Sequence, residues 1–432
     1  MLGYRAMTCQ QALKTKGKSE VWRIIGRHDP HGLEADRRVT LRALFPFHCD
    51  NDLTSHPPFS LVRYLSATDL RAELWVTGRG PRAREPFVRE GLPSGMRWIA
   101  DNLSRVIQPR AQWTRRITES RFASAFRPGD AAWVYRGCST TLIHRLRGGG
   151  CPVFLERVNT MDDTSRRIIA DAFSRAGWPV EPPYDVERPL DADRAHVLAA
   201  DFVFSPSPAV TDSLLEQGVA REKVLETSYG WDPGRFAGQG PDLPPIDGIT
   251  VLFVGSIGLR KGAHLLLDAW GRAKIRGRLV LVGRLEPLIA RRCTAQLARP
   301  DVIHLDYHPD PAPAFRAADL FAFPTLEEGS PLVSYEAIGN GLPVITSAIG
   351  AGAIIRHEVE GLIVDPHDSE GLVTNLRRLA EDVHMRKRMG SAARLRAAEY
   401  TWEKVAKRRY HLVRSALRST GAERASQATP AQ

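Results

Sequence analysis

The sequence predicts two doubly wound α/β halves facing each other across a cleft. Three observations carry that expectation. Short apolar runs alternate with amphipathic stretches from residue 38 to about 417, as parallel strands joined by right-handed crossover helices do. A Gly/Pro-dense break, Gly238-Gln239-Gly240-Pro241 and then Leu243-Pro244-Pro245, separates two such series. A break of that composition between patterned blocks reads as a domain linker. The third observation is the stretch 320–341, where an apolar strand, a tight loop and a helix follow one another directly. That arrangement sets backbone N–H groups and the positive end of a helix dipole at the carboxyl edge of a parallel sheet, an anion site suited to phosphate.

The elements follow in order. Residues 1–37 are polar and unpatterned, an N-terminal arm expected to be loose. The first half, 38–240, reads as a strand over 39–45, a loop over 46–52, a helix over 60–70 and a strand over 72–78. Strands at 131–135, 152–155, 201–204 and 224–227 follow. Helices lie between them at 139–147, 162–175 and 210–217, with a long Pro-rich irregular piece after 175. The second half, 241–400, opens on the strongest strand, 249–255. The loop Gly255-Ser256-Ile257-Gly258-Leu259-Arg260-Lys261-Gly262 leads from it into a helix over 263–273. Strands at 278–282, 302–305, 320–323 and 344–346 complete it. Pro324 ends the strand 320–323, and Gly329 permits a tight turn. Ser330-Pro331 reads as a hydroxyl cap followed by a residue with no N–H, the start of a helix. Asn340-Gly341 and Pro343 stop that helix.

A 432-residue chain with 43% hydrophobic and 25% charged residues has the composition of an ordinary soluble globular protein of two to three domains. No apolar run reaches membrane-spanning length, and the first twenty residues lack the apolar core of a secretory signal. The five cysteines (Cys9, Cys49, Cys138, Cys151, Cys293) are odd in number and never spaced CxxC, which argues against a disulfide framework or a zinc site and for the cytoplasm. The net charge of +11 invites an acidic partner. Zinc spacing, RRM-like aromatics and a basic heptad helix are missing from the sequence, so nucleic acid is not expected. An anionic bilayer or an anionic lipid-linked substrate suits that charge, as does a solvated basic surface. Trp98, Ile99, Leu103, Val106 and Ile107 among Arg97, Arg105, Arg110, Arg115 and Arg116 read either as a basic helix lying on such a membrane or as a helix packed on the first domain with its arginines outward.

Two constellations carry chemistry. Glu328 and Glu336 flank the predicted anion site, and carboxylates beside a phosphate pocket accept hydrogen bonds from hydroxyls such as those of a ribose or a sugar. In the loop 255–262, glycines let the backbone approach a ligand, and Arg260 and Lys261 match a diphosphate with a planar fork and a point charge. In the first half, His48 reads as a base or acceptor contact or as a solvated loop histidine. Arg157 reads as a contact for an acceptor anion or as a structural ion pair.

Glu328, seven residues and then Glu336, with Gly-Ser-Pro after the first and Ala after the second, resembles the donor-site signature of the retaining GT-B glycosyltransferases of family four. Other segments fall in that family's order: Tyr229-Gly230-Trp231-Asp232 with Phe236, Ala318-Asp319-Leu320-Phe321 with Pro324, Gly361-Leu362-Ile363-Val364 with Asp368, and Tyr400-Thr401-Trp402-Glu403. The resemblance covers residues 200–417 well and the first half in outline. Where family members have Gly-Arg this chain has Gly255-Ser256, and the family's Gly-Gly loop after the first strand is replaced by residues 46–52.

The resemblance implies two Rossmann-like domains in the GT-B arrangement and a helix at 401–418 crossing back to the first domain, while the low-complexity composition from 419 reads as a disordered tail at 419–432. It implies transfer of a sugar, with retention, from a nucleoside-diphosphate sugar to a glycan, lipid-linked or small-molecule acceptor, as in polysaccharide biosynthesis. It implies no metal or other cofactor; the cysteines and the basic charge point to the cytoplasm, either free or peripheral on the inner face of the membrane. Glu328, Lys261 and Arg260 would be catalytic. Gly255, Ser256, Gly329, Ser330, Leu332, Val333 and Glu336 would hold the donor, and His48 and Arg157 would stand on the acceptor side. The alternative is a catalytically silent nucleotide-sugar- or glycan-binding protein on the same fold.

Overall fold

The computed structural model describes residues 39–52, 54–93, 110–184, 190–237, 243–308 and 310–427, with the side chains of 110–112 and 421–427 left aside. The arm at 1–37, the linker 238–242 and most of the basic amphipathic stretch lie outside the described residues.

Two parallel sheets organise the chain. The first has seven strands: β1 (Thr40–Cys49), β2 (Arg71–Arg79), β3 (Val88–Glu90), β4 (Ala131–Tyr135), β5 (Val153–Glu156), β6 (Phe202–Ser205) and β7 (Val224–Glu226). Their order across the sheet is β3-β2-β1-β4-β5-β6-β7. The second has six: β8 (Ile249–Val254), β9 (Gly277–Val282), β10 (Val302–Leu305), β11 (Leu320–Phe323), β12 (Val344–Thr346) and β13 (Gly361–Ile363), in the order β10-β9-β8-β11-β12-β13. Every strand pair is parallel. Each sheet reverses its winding once, between β1 and β4 and between β8 and β11, and the carboxyl ends of strands at such switch points are where open α/β sheets bind ligands.

The strands form where β-branched and aromatic residues run unbroken, because both faces of a parallel sheet are covered. Val251, Leu252 and Phe253 in β8 are fully buried, as are Leu266, Leu267 and Trp270 on the helix Ala263–Ala273 that packs against the sheet. Gly262 begins that helix at φ 68°, and a Cβ there would overlap the Pro324 carbonyl oxygen. Only glycine satisfies both conditions.

Four expectations are corrected. Residues 46–49 are not a loop: β1 continues to Cys49, with a register shift between Phe45 and His48. β4 pairs with β1 only as far as Leu44, so Pro46, which has no N–H to donate, sits beyond that ladder at an irregularity, where proline is tolerated. The first helix is His56–Leu65, not 60–70, because Pro57 and Pro58 occupy its first turn, where proline costs nothing. The Pro-rich piece contains the helix Leu190–Leu198, with Asp191 and Asp193 at its positive end. The last helix is Trp402–Gln427 and does not stop near 418. Ala, Glu and Arg favour helix beyond that point, and Gly421 alone is too weak to break it.

The junction after β7 runs beside the start of this last helix. Trp231 N donates to Tyr400 O at 3.0 Å, and Trp402 N to Trp231 O at 3.3 Å. A side chain at Gly230 would meet the Trp402 and Tyr400 backbone. Trp402 Nε1 donates to His56 Nε2 at 3.0 Å, and Asn51 Oδ1 lies 2.8 Å from Nδ1. Burial, and then Arg235, push the His56 pKa down to about 3, so the ring is neutral and free to accept. Deeper in, Arg409 Nη1 and Nη2 donate to the two Glu156 oxygens at 2.6 and 2.9 Å, with both residues fully buried. The guanidinium lies over Phe204 at 4.8 Å and Trp133 at 5.4 Å, and Trp133 Nε1 donates to Glu156 at 3.1 Å.

Removing one partner of such a pair leaves an uncompensated buried charge, which costs roughly 3–5 kcal/mol. Urea unfolding of Arg409→Met should show a loss of about that size, and the double variant Glu156→Leu/Arg409→Met should lose less than either single change. Additive losses would show that the two groups are not coupled.

Candidate active site

The site grows from the carboxyl ends of the four strands at the two switch points. Phe45 lies in β1 and Tyr135 ends β4; Val254 ends β8 and Phe323 ends β11. All four line one cavity of 680 Å³ between the sheets. The whole run 320–331 is buried, so the loop after β11 is an interior element. It is tied to the loop 255–262: Leu326 N donates to Arg260 O at 2.9 Å, and Thr325 Oγ1 to the same oxygen at 3.2 Å.

Two adjacent cations on one loop meet two adjacent carboxylates on the other. Arg260 Nη1 donates to Glu327 Oε2 at 2.9 Å and to Glu327 O at 3.1 Å. Lys261 Nζ pairs with Glu328 Oε1, and Arg260 Nη1 stands 3.9 Å from Glu328 Oε2. Glu327 also accepts from Thr160 Oγ1 of the first half at 2.8 Å. Burial, and the Arg260 guanidinium beside it, push the Lys261 ammonium well below its ordinary value, against the pull of Glu327 and Glu286.

Of the residues singled out from sequence, Gly255, Lys261, Glu328, Ser330, Leu332 and Val333 come together on the cavity wall. Others do not. Arg260 lines a neighbouring cavity of 540 Å³ instead, with Thr160, Tyr184 and Glu327. Ser256 Oγ donates to Glu286 Oε1 at 2.8 Å, and Tyr184 Oη to Glu286 Oε2 at 2.7 Å. Gly329 sits where a Cβ would overlap the Val158 carbonyl oxygen, so glycine is required for the close approach of the two halves, not for a tight turn. Ser330 does not cap the helix. That helix is Leu332–Gly339 with Pro331 at its N-cap, and Ser330 Oγ is hydrogen-bonded to Tyr335 Oη at 2.8 Å. The N-terminal end of the helix is therefore left without a side-chain cap, and its residues Leu332 and Val333 face the cavity.

The two first-half candidates are corrected. His48 is exposed, pairs in register with Gly78 and does not line the cavity; Phe47 does, because strand alternation turns adjacent side chains apart. Arg157 is 1% exposed and fully engaged. It donates to Asp193 at 2.5 and 3.0 Å, to Asn159 O at 2.9 Å and to Thr160 O at 2.6 Å. It is a structural ion pair that shapes the Val158–Asn159 loop. Glu327, Glu286, Tyr184 and Phe47 were missed. The adjacency of Glu327 to Glu328, mirrored by that of Arg260 to Lys261, was the one signal that could have found the matched pairs.

Glu336 lies one turn into the helix, half-buried and off the lining of the 680 Å³ cavity. Burial raises its carboxyl to about 7, and Arg235 opposes the rise. With the folded value above the unfolded one, ionisation penalises the fold: the group costs nothing below about 4.5 and its full penalty is felt above about 7.

Comparison with known proteins bears on this geometry. The fold is that of GT-B proteins. A structure of Anabaena HepE in complex with UDP and glucose superposes with a TM-score of 0.62 at 15% identity, covering 87% of this chain and all of that one. Sucrose-phosphate synthase from Thermosynechococcus elongatus superposes at 0.62 with 17% identity over 88% of this chain and all of that one. Residues 248–382 match the family model described as Glycosyl transferases group 1. The D-inositol 3-phosphate glycosyltransferase of Thermobispora bispora is 30% identical over 190 residues, 40% of this chain and 44% of that protein. Sulfoquinovosyl transferase SQD2 of Arabidopsis thaliana is 29% identical over 248 residues, 52% of this chain and 45% of that protein. Each match spans less than half the relative's length. No helix among the described residues is long and apolar enough to cross a membrane.

Between pH 4.5 and 7 the melting temperature of Glu336→Gln should gain steadily on that of the wild type, and the gap should level off above 7. A gap constant with pH would show that Glu336 titrates at its ordinary value.

Proposed function

We propose that the protein transfers a glycosyl group, with retention, from a nucleoside-diphosphate sugar bound in the 680 Å³ cavity. One observation carries this reading. Within the stretch that matches the Glycosyl transferases group 1 model, Lys261, Glu328 and the uncapped end of the helix Leu332–Gly339 converge on a single cavity at the switch points of two parallel sheets.

The diphosphate lies against that helix end, where the N–H groups of Leu332 and Val333 and the dipole favour negative charge. Lys261 exchanges Glu328 for a phosphate oxygen and neutralises charge growing on the leaving diphosphate, the electrostatic work that dominates such transfers. Glu328, released from Lys261, accepts hydrogen bonds from donor-sugar hydroxyls, and Glu336 in its ionised form accepts those of the ribose. Arg260, fixed by Glu327, adds positive potential from behind the cavity. On this reading the cations do the work for which no metal is required. The complex of Anabaena HepE with UDP and glucose makes uridine diphosphate the first nucleotide to test.

Glu328→Gln and Lys261→Ala should each lower turnover of the donor on the order of a hundredfold or more, the scale of losing one electrostatic contact to the transition state, while far-UV dichroism stays unchanged. Sugar release followed by proton NMR also reads the anomeric configuration of the product. Normal turnover in either variant would remove that residue from the site. Nucleotide binding by the wild type without turnover would identify a silent binding protein.

A further inference from the structure

The donor reading uses the second-half wall of the cavity and leaves the first-half wall unexplained. That wall is built from rings: Phe45, Phe47, Tyr135, Pro57 and Pro58. Phe45 meets Phe47 edge-on at 5.2 Å and Tyr135 edge-on at 5.8 Å. Phe47 is 51% exposed at the rim. Its position is built in: Gly137 lies at φ 104°, and a Cβ there would come within 2.9 Å of the Phe47 ring. A large ring held at the cavity rim over a glycine that makes room for it offers its edge and face to a ligand in the cavity.

The charged groups of the wall are spent, while the buried Tyr135 hydroxyl has no hydrogen-bond partner. Arg136 Nη2 donates to both Asp162 oxygens at 2.6 Å. Arg157 is buried behind the wall and bound to Asp193. Thr54 and Asn159 remain, neutral, at the rim. Among the described residues, a phosphorylated acceptor would find no uncommitted cation on this wall. A polyhydroxylated one would lose water from more hydroxyls than the wall can re-bond, and each unmet group costs free energy. A flat ring system meets the wall with edge-to-face contacts that need no polar partner.

We propose that the acceptor is an uncharged molecule whose hydroxyl sits on an aromatic ring system, docked against Phe45, Phe47 and Tyr135. The inference rests on the transferase reading and specifies its second substrate. In the transfer, the bond from the anomeric carbon to the diphosphate oxygen breaks and a bond to the phenolic oxygen forms. The phenol's proton leaves with the diphosphate.

The test uses the full chain with UDP-, GDP- and ADP-glucose as donors. The acceptors are 4-methylumbelliferone and 1-naphthol, against glucose 6-phosphate and myo-inositol 1-phosphate. Transfer to the two phenols should exceed transfer to the sugar phosphates. Phe47→Ala should raise the KM for the phenols on the order of tenfold, the scale of one lost aromatic contact, and Phe47→Trp should recover it. Donor hydrolysis with transfer to the phosphates only, or a phenol KM unmoved by Phe47→Ala, overturns the acceptor assignment and leaves the transferase reading standing. No turnover of any donor, with or without acceptor, overturns the transferase reading and this inference with it.

Discussion

A buried ion pair holds the last helix to the first sheet. Arg409, on the helix Trp402–Gln427, and Glu156, at the end of β5, are both out of water and satisfy each other through two hydrogen bonds. Two charges taken into a low-dielectric interior do not by themselves stabilise a fold, but separating them is expensive. The pair therefore acts as a constraint on register. The last helix has one place to dock on the first sheet, flanked by the Trp402–His56 bond at its start. Glu156 lies one residue before Arg157, which shapes the Val158–Asn159 loop, and that loop presses on Gly329. The position of the loop after β11 is thus set from the first half, through contacts outside the proposed site.

The second constraint is topological. Both sheets reverse their winding at one point, and the strand ends on either side of those two points face one cavity. Helices leave the two switch points in opposite senses, so the carboxyl edge there is open where elsewhere it is covered. On the second sheet that opening is polar and charged, with Arg260–Glu327 and Lys261–Glu328 matched across two loops. On the first it is aromatic. On the proposed reading, one wall meets a charged leaving group and the other an apolar acceptor, a division of labour between two similar folds.

Much of this was legible in the sequence, for identifiable reasons. Strands β4 and β11 are unbroken apolar runs, and β8, β10 and β12 are apolar but for one Thr or His each, so their pattern admits few alternatives. The helix Ala263–Ala273 has a clean apolar stripe. β1 beyond Phe45 was hidden because Pro46 reads as a breaker, when it only marks the place where the ladder to β4 ends. The helix Leu190–Leu198 was hidden by acids that suggest a loop until they are placed at the positive end of a dipole. In the site, Lys261 and Glu328 were visible from residue type and spacing. The displacement of Arg260 and Ser256 toward Glu327 and Glu286 was not, since partners 67 and 30 residues away leave no local trace. Gly329 was found for the wrong reason: it answers to Val158, and no pattern in its own neighbourhood records that.

The central claim is that Lys261 meets a nucleoside diphosphate in the cavity at the two switch points. Titration calorimetry of UDP, GDP and ADP into wild type and Lys261→Ala tests it most directly. The account predicts saturable binding of at least one diphosphate, weakened on the order of tenfold or more in the variant, as loss of a charge-assisted hydrogen bond requires. Equal affinity in the two proteins, or binding of none of the three, would contradict it.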